Sequence, residues 1–124
     1  MNLNQVTVSV TDIEKSITFY ETLGLKLIVK APHYARFECP EGDSTFSIAL
    51  ADSVVHQGTT IYFETEKLDA VVADLIQKGI SFEQFPTDER YLWREAILLD
   101  PDHNKIKLFF AGDNRKNPPW RISK

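Results

Sequence analysis

The sequence predicts an α+β protein made of two tandem modules, each with the order strand, helix and three strands (βαβββ). Three observations support this: alternating apolar residues mark the strands, helical apolar spacing follows the first strand of each half, and the second half repeats the first. Gly24 and Gly79, each placed to end a helix, are 79 − 24 = 55 positions apart. We expect one domain of 124 residues with modules 3–51 and 59–110 and a tail, 111–124.

The first module begins with a strand and a helix. Apolar and polar residues alternate over 3–10, which is typical of a half-buried strand. Thr11 and Asp12 both have side chains suited to cap a following helix, and Gly24 is suited to end it. We place Ser16 on the outer side of this helix. Three further strands are predicted at 25–30, 34–39 and 45–51.

The second module repeats this order and is followed by a tail. A strand at 60–65 precedes a helical apolar stripe that ends at Gly79, and strands are predicted at 80–85, 93–99 and 105–110. Pro118 and Pro119 oppose helix and sheet, so we expect an extended tail. The alternatives for Trp120 are docking on the body or a partner subunit, covering a ligand site, or remaining free.

Each helix is predicted to cover one face of its sheet, which leaves the opposite face for another use. By alternation this second face carries Gln5, Thr7, Ser47, Ala49, Thr60, Tyr62, Glu64, Lys105, Lys107 and Phe109. Curved into a cup, such a face is suited to a small ligand. Left flat, it is the solvated side of a sheet. The alternation allows both.

Composition and charge exclude several classes of protein. The net charge of −4 argues against nucleic acid as a partner, because phosphate binding needs a basic face. No apolar run reaches the roughly 18–20 residues that span a bilayer, so we expect no membrane partner. The first residues contain no basic segment or long apolar stretch, so we expect no signal peptide. The single cysteine, Cys39, fits a reducing cytoplasm.

The chain resembles the vicinal oxygen chelate superfamily, which includes glyoxalase I, extradiol dioxygenases, and fosfomycin- and bleomycin-resistance proteins. The stretch TDIEKSITFYETLGL resembles the first helix and turn of that family. The residues DPDHN at 100–104 resemble its last hairpin, with His103 where glycine is usual. The resemblance covers 3–110. It implies that the modules form a curved mixed sheet around a cup, with the helices on the outer face, and that the chain is a homodimer.

In enzymatic members of this family, four cup positions bind a divalent metal through His or Gln and Glu. The resemblance places these positions at Gln5, Ala49, Thr60 and Lys107. Only Gln5 is a ligand that the family uses, and the ammonium of Lys107 has no lone pair and repels a cation. We therefore expect no metal and no cofactor, and a small polar molecule, such as a drug or metabolite, in the cup. Two alternatives stay open: a metal-dependent lyase, isomerase or dioxygenase with displaced ligands, and a non-catalytic dimeric domain with a vestigial cup.

The family pattern also places Trp93, Glu95 and Ile97 in the cup. The carboxylates of Glu64 and Glu95, together with Lys107, suit a polar ligand or acid–base chemistry. Alternatively, Lys107 forms a structural ion pair with one of the two. No catalytic residue is assigned. The predicted ligand-binding residues are Gln5, Thr7, Ser47, Ala49, Thr60, Tyr62, Glu64, Trp93, Glu95, Ile97 and Lys107.

Cysteine and histidine are not assigned to the site. An offset of 106 − 48 = 58 relates Ile48 to Ile106, and it places Cys39 on the cup face if its strand follows the parity of Glu95. We expect Cys39 to act as a small apolar side chain rather than a nucleophile. The histidines fall in predicted turns or loops: His33, His56 and His103.

Overall fold

A computed structural model of the chain describes residues 2–54 and 58–122 and confirms the two βαβββ modules. His56 lies outside the described residues. The chain forms two compact units. The first contains the chain up to Gly58 together with the segment Asp100–Asn104, and the second contains Thr59–Leu99 and the chain from Lys105 onward.

The first unit has a four-stranded mixed sheet in the order β1-β4-β3-β2 and one helix. Strands β1 and β4 are parallel, and the other two pairs are antiparallel. Its largest fully buried side chains include Tyr20, Phe37 and Ile48. The elements are β1 (Gln5–Val10), α1 (Ile13–Thr22), β2 (Lys26–Ala31), β3 (Tyr34–Glu38) and β4 (Thr45–Leu50).

Helix α1 is capped by Asp12, whose side chain accepts a 3.0 Å hydrogen bond from the backbone N–H of Lys15. The placement of Ser16 on the outer side is wrong, since Ser16 is fully buried. It lies three residues after Ile13 and four before Tyr20, which puts it in the same buried stripe. Its small side chain fits there, although its hydroxyl has no hydrogen-bond partner among the described residues.

The turn at 100–104 packs within the first unit around the buried side chain of Asp100. Oδ1 of Asp100 accepts from the backbone N–H groups of Asp102 (2.9 Å) and Asn104 (2.8 Å). Oδ2 accepts from the Tyr20 hydroxyl (2.6 Å) and from Nδ2 of Asn104 (2.9 Å). His103 has a φ of +67°, in the left-handed region that glycine adopts most readily.

The second unit repeats the architecture, with a sheet in the order β5-β8-β7-β6. Strands β5 and β8 are parallel, and the other pairs are antiparallel. Buried Ile106 and Leu108 on β8 alternate with Lys107, so the core face and the opposite face are distinct. The elements are β5 (Thr60–Glu64), α2 (Leu68–Gln77), β6 (Gln84–Asp88), β7 (Arg94–Leu99), β8 (Lys105–Phe110) and a short 3-10 helix (Gly112–Arg115).

The predicted strand at 80–85 is wrong, because the strand begins only at Gln84. The backbone N–H of Ile80 bonds to the carbonyl of Leu75, and the N–H of Gly79 bonds to that of Ile76. These bonds close the C-terminus of α2 with Gly79 at a φ of +93°. The first residues of the predicted strand therefore serve as the helix cap and the connection.

The parity that would place Cys39 on the cup face is also wrong for β3. Phe37 is fully buried in the core, so Arg36 lies on the opposite face and Cys39 does not follow the cup parity. The loop between the paired strands is 39–44 in the first module and 100–104 in the second. The first loop has six residues and the second has five. This difference of one residue moves the side chains of β3 to the opposite face from that expected by analogy with β7.

The tail is not simply extended. Its first residues form the 3-10 helix Gly112–Arg115, and the N–H of Arg121 closes a turn on the carbonyl of Pro118. Trp120 is 57% exposed, so its own chain covers less than half of it, and packing on a partner subunit stays a prediction. Among the described helices, none is long and apolar enough to cross a membrane.

Candidate functional site

The sheet face opposite α2 carries a row of predicted site residues. Lys107 on β8 lies in register between Tyr62 on β5 and Ile97 on β7. In the next row Phe109 lies between Glu64 and Glu95. The structure thus brings the predicted residues of the second module onto one face. Thr60 lies at the end of β5, beside Lys105.

An ion pair dominates this face. Nζ of Lys107 is 2.8 Å from Oε2 of Glu95, whose side chain is only 2% exposed. The other carboxylate oxygen of Glu95 accepts a 2.5 Å hydrogen bond from the Tyr91 hydroxyl. Nζ of Lys107 also lies 5.6 Å from the centre of the Tyr62 ring, within the range of a cation–π interaction. Both oxygens of the buried carboxylate are therefore satisfied, and Lys107 is held in place.

The electrostatics of this group disfavour Lys107 as a general base. Partial burial opposes the charge of Lys107, but the hydrogen bond and charge of Glu95 raise the pKa of Lys107 above its usual value. Burial and the hydrogen bond to Glu95 also raise the pKa of Tyr91. At neutral pH both side chains keep their protons. A protonated lysine has no lone pair with which to accept a proton.

Four aromatic rings form a cluster beside the ion pair. The ring of Trp93 stacks on Phe109 at a centroid distance of 4.6 Å, and Tyr62 meets both rings edge-on at 6.0 and 5.7 Å. Tyr91 lies 5.9 Å from Trp93. Phe109 is buried, whereas Tyr62 and Tyr91 are 48% and 39% exposed. The group offers an accessible aromatic surface of the kind that binds planar molecules.

Glu64 does not join this group. Its Oε2 accepts hydrogen bonds from the backbone N–H groups of Ala111 (2.9 Å) and Gly112 (3.0 Å). Its Oε1 lies 3.5 Å from Nε of Arg115. Of the two partners considered for Lys107, the structure therefore selects Glu95. Glu64 instead fixes the start of the tail.

The sheet face of the first module carries the other predicted residues. Oε1 of Gln5 accepts a 2.8 Å hydrogen bond from Thr45, while Thr7 is exposed and lies opposite buried Ser47. The Tyr34 hydroxyl is 2.7 Å from Oγ of Ser47. Ala49 lies opposite Ser9 on β1 and Tyr34 on β3.

Sequence reasoning missed Tyr34 and Arg36 on this face. Arg36 lies opposite Ser47, and its Nε donates a 2.9 Å hydrogen bond to the Tyr34 hydroxyl. Both residues alternate with buried Ala35 and Phe37. The signal that would have found them is the loop at 39–44, whose even length sets the parity of β3.

The residues at the four family metal positions do not fit a divalent metal. Lys107 is protonated and paired with Glu95, and Ala49 has no side-chain ligand atom. Thr60 offers only a neutral hydroxyl, and Gln5 offers only a neutral amide oxygen, which accepts from Thr45. Elsewhere in the described ranges, no group of three or more His, Cys, Asp and Glu side chains is arranged to hold a metal. The donor chemistry thus disagrees with the family's metal-dependent reactions.

A cavity of about 570 Å³ in the first unit is a weaker candidate. Residues at the N-terminus of α1 and around the β2–β3 turn line it. Its charged groups already have partners, because Lys30 pairs with Glu14 at 2.7 Å and Asp12 caps α1. These contacts leave little polar chemistry for a ligand.

The paired βαβββ modules define a known structural class, the glyoxalase fold. The chain belongs to the Glyoxalase/Bleomycin resistance protein/Dioxygenase superfamily, whose family model matches residues 2–108. A solved member from Nocardioides has a TM-score of 0.77 at 21% identity, with 99% of this chain and 90% of that chain covered. A lactoylglutathione lyase from Agrobacterium tumefaciens has a TM-score of 0.75 at 15% identity, with 88% and 92% covered. These likenesses show the shared fold.

Two bacterial relatives are similar in sequence. A trivalent organoarsenical cleaving enzyme from Bacillus sp. (strain MD1) is 29% identical over 131 residues, with 96% of this chain and 81% of that protein covered. The uncharacterized protein YraH from Bacillus subtilis is 28% identical over 127 residues, with 88% and 98% covered. The match to this chain therefore extends over most of each relative.

Proposed function

We propose that this chain binds a small organic molecule on the sheet face of its second module without using a metal ion. The observation that carries the proposal is the half-exposed aromatic surface of Tyr62 and Tyr91 beside the 2.8 Å ion pair between Lys107 and buried Glu95. The family resemblance implies a metal-binding Glu at the position of Lys107, and here a fixed ammonium stands in its place. Ligand binding without metal has a precedent among the bleomycin-resistance members.

The chemistry of the face indicates the class of ligand. Tyr62, Tyr91 and Trp93 supply aromatic surface, and the rings of Tyr62 and Tyr91 are partly exposed. Glu95 compensates the charge of Lys107, so a ligand on this face does not need a negative charge. We therefore expect a planar molecule with polar substituents. The net charge of −4 favours the approach of a cation over that of an anion.

The first experiment measures metal content and ligand binding on the untagged protein. Elemental mass spectrometry after incubation with nickel, zinc, manganese and iron(II) is expected to find almost no bound metal. Thermal shift assays in EDTA then screen planar antibiotics, including bleomycin, and aromatic metabolites. A ligand at 100 times its Kd stabilises the fold by about 2.7 kcal/mol. One tightly held ion per chain, or binding only with added metal, would overturn the proposal.

A matched pair of variants tests the place of binding. Tyr62→Ala removes the half-exposed ring on the proposed face, and Phe85→Ala removes a 63% exposed ring on β6. We expect Tyr62→Ala to abolish the thermal shift and Phe85→Ala to preserve it. Equal effects of the two substitutions would place the ligand elsewhere.

A second candidate is cleavage of trivalent organoarsenicals, which the Bacillus relative at 29% identity supports. Trivalent arsenic binds thiolates, and this chain has one cysteine. Burial raises the pKa of the Cys39 thiol, which disfavours the thiolate. Incubation with a trivalent arylarsenical, with and without iron(II), is expected to release no inorganic arsenite. Iron-dependent release would make this second candidate the correct one.

We also propose a cytoplasmic homodimer, which the exposed Trp120 supports because a partner subunit gives this ring a place to pack. Sedimentation velocity of the wild type and Trp120→Ala tests the assembly. The wild type is expected to sediment as a dimer, and the variant is expected to shift toward monomer. If the protein is a dimer and no compound in the thermal-shift panel binds, the vestigial-cup alternative gains support.

A further inference from the structure

The sheet face of the first module carries a cationic group that the proposed function does not use. Arg36 on β3 lies in register with Ser47 on β4, and Tyr34 lies two residues before Arg36 on the same face. Nε of Arg36 is 2.9 Å from the Tyr34 hydroxyl, which is 2.7 Å from Oγ of Ser47. The Arg36 guanidinium also lies 5.4 Å from the centre of the Tyr34 ring. These contacts fix both side chains.

The guanidinium of Arg36 keeps hydrogen-bonding capacity. Its Nε is used by Tyr34, and over the described ranges 2–54 and 58–122 no carboxylate lies within 4 Å of its nitrogens. The other strand arginine of similar exposure, Arg94, differs sharply. Its guanidinium contacts Asp69 at 3.0 Å and Asp88 at 3.1 Å. Arg36 therefore presents two amino groups that no carboxylate occupies.

The Tyr34 hydroxyl has spare capacity of the same kind. Ser47 is fully buried, and its hydroxyl bonds to Tyr34. When Ser47 and Arg36 both donate to the Tyr34 oxygen, the proton of Tyr34 is free to point toward a third partner. The hydrogen bond from Ser47, with those from Arg36 and Gln5, lowers the pKa of Tyr34 despite partial desolvation.

We propose that Arg36 and Tyr34 form an oxyanion-binding site on the first module. The two amino groups of Arg36 hold a pair of oxygens, and the Tyr34 hydroxyl donates to one of them while Ser47 keeps it in position. A guanidinium fork matches the oxygen pairs of carboxylates and phosphates. The ligand class is thus a small molecule with a carboxylate or phosphate group.

One acidic side chain bears on the site. Glu38 follows two residues after Arg36 on the same face and lies in register with Lys26 of β2. Its charge disfavours an anion at Arg36, although Lys26 offsets part of that effect. We therefore expect Glu38→Gln to strengthen anion binding.

The test follows the arginine Nε–Hε signals of the isotope-labelled full-length protein by NMR. Acetate and inorganic phosphate are titrated separately, with sodium chloride at matched ionic strength as the reference. We expect a saturable shift of the Arg36 signal with at least one anion and none with chloride. Saturation by acetate alone assigns a carboxylate site, and saturation by phosphate alone assigns a phosphate site. No saturable shift with either anion overturns the proposal.

Variants separate this site from general charge effects. Arg36→Gln is expected to weaken anion binding roughly tenfold or more, and Tyr34→Phe severalfold, because charge-assisted bonds are lost. Binding to Arg36→Gln is followed through the amide signals of Ser47 and Tyr34. Arg36→Lys keeps the charge without the fork, and its loss of anion binding is expected to lie between the losses in Arg36→Gln and Tyr34→Phe. This variant also guards against a folding defect. Arg94→Gln is the matched control and should leave binding unchanged. An equal loss in Arg94→Gln, or none in Arg36→Gln, contradicts the assignment.

Two variants distinguish a failure of the anion site from a failure of the proposed function. Tyr62→Ala acts on the second module and is expected to leave the anion-dependent shift of Arg36 intact. Conversely, Arg36→Gln is expected to leave the thermal shift by a planar ligand in place when that ligand carries no anionic group.

Discussion

Tyr20 donates a 2.6 Å hydrogen bond to Oδ2 of Asp100, which lies 80 positions further along the chain. Both side chains are buried. The remaining bonds of the Asp100 carboxylate go to Asp102 and Asn104 of its own turn. Tyr20 thus joins helix α1 to this turn, which is also tied to the first compact unit by bonds from Thr11 to Asp102 and from Asn104 to the carbonyl of Ser9.

We expect Tyr20→Phe to lower the free energy of unfolding by about 1.5–3 kcal/mol, because a hydrogen bond to a buried carboxylate is lost. The ring contacts with Phe37 and Phe46 remain, so the loss reports the hydroxyl. Urea denaturation at pH 7 measures it. Tyr62→Phe is the control, since that ring is 48% exposed, and it should change stability by less than about 0.5 kcal/mol. Similar losses in both variants would contradict this role for Tyr20.

The same hydroxyl gives the stability a defined dependence on pH. Burial and then the neighbouring Asp100 raise the pKa of Tyr20 far above its usual value of 10.0. Below pH 10 the tyrosine is protonated in both the folded and unfolded states, and its contribution is complete. Above pH 10 only the unfolded chain releases the proton, so stability falls by up to about 1.4 kcal/mol per pH unit.

Urea denaturation between pH 8 and pH 11 tests this dependence. The wild type is expected to lose stability above pH 10 more steeply than Tyr20→Phe, which lacks the titrating group. Parallel curves for the two proteins would show that Tyr20 ionises equally in both states, against the structure.

The ion pair between Lys107 and Glu95 leads to a prediction based on burial. Replacing Lys107 by Met leaves the carboxylate of Glu95, 2% exposed, without its cation, and we expect a loss of about 3 kcal/mol. The double variant Lys107→Met with Glu95→Leu removes both charges and is expected to recover most of that loss. Urea denaturation of the two single variants, the double variant and the wild type gives the coupling energy.

A second lysine–glutamate pair provides the control. Lys30 and Glu14 are as close, at 2.7 Å, but their side chains are 51% and 71% exposed. Lys30→Met is expected to change stability by no more than about 1 kcal/mol. If Lys107→Met is equally mild, the ion pair in the second module is not the buried anchor that we infer.

Much of the fold could be predicted from the sequence because its signals are local. The alternation in β1 and the glycines that end the two helices depend on spacing alone, and the structure confirms these elements. Gly79 shows the limit of such signals. It correctly marks the helix end, but the bonds that close the helix also use the backbone N–H of Ile80. The next strand therefore begins only at Gln84.

The residues at the centres of the two faces were harder to predict, because they depend on contacts between distant segments. The alternation placed Lys107 and Glu95 on one face, but only the structure selects Glu95 over Glu64. Arg36 and Tyr34 were missed because one additional loop residue reverses the parity of β3. A fixed sequence offset between the two modules predicts side-chain orientation within one strand or helix. It fails across a loop whose length differs between the modules.

Glu64 anchors the tail, and its removal should loosen a defined segment. Its carboxylate accepts hydrogen bonds from the backbone N–H groups of Ala111 and Gly112 and lies near Arg115 at the end of the 3-10 helix. We expect Glu64→Ala to speed hydrogen exchange at Ala111 and Gly112 and to cost about 1–3 kcal/mol, since the N–H of buried Ala111 and that of exposed Gly112 lose a charged acceptor.

Native-state hydrogen exchange by NMR measures this effect residue by residue. Glu66→Ala is the matched control, because Glu66 is an exposed acidic residue only two positions further on. The control is expected to leave the exchange of both amides unchanged. Protection that survives in Glu64→Ala would mean that the 3-10 helix is held by its own backbone bonds, such as the one from Asn117 to Asp113, rather than by the carboxylate.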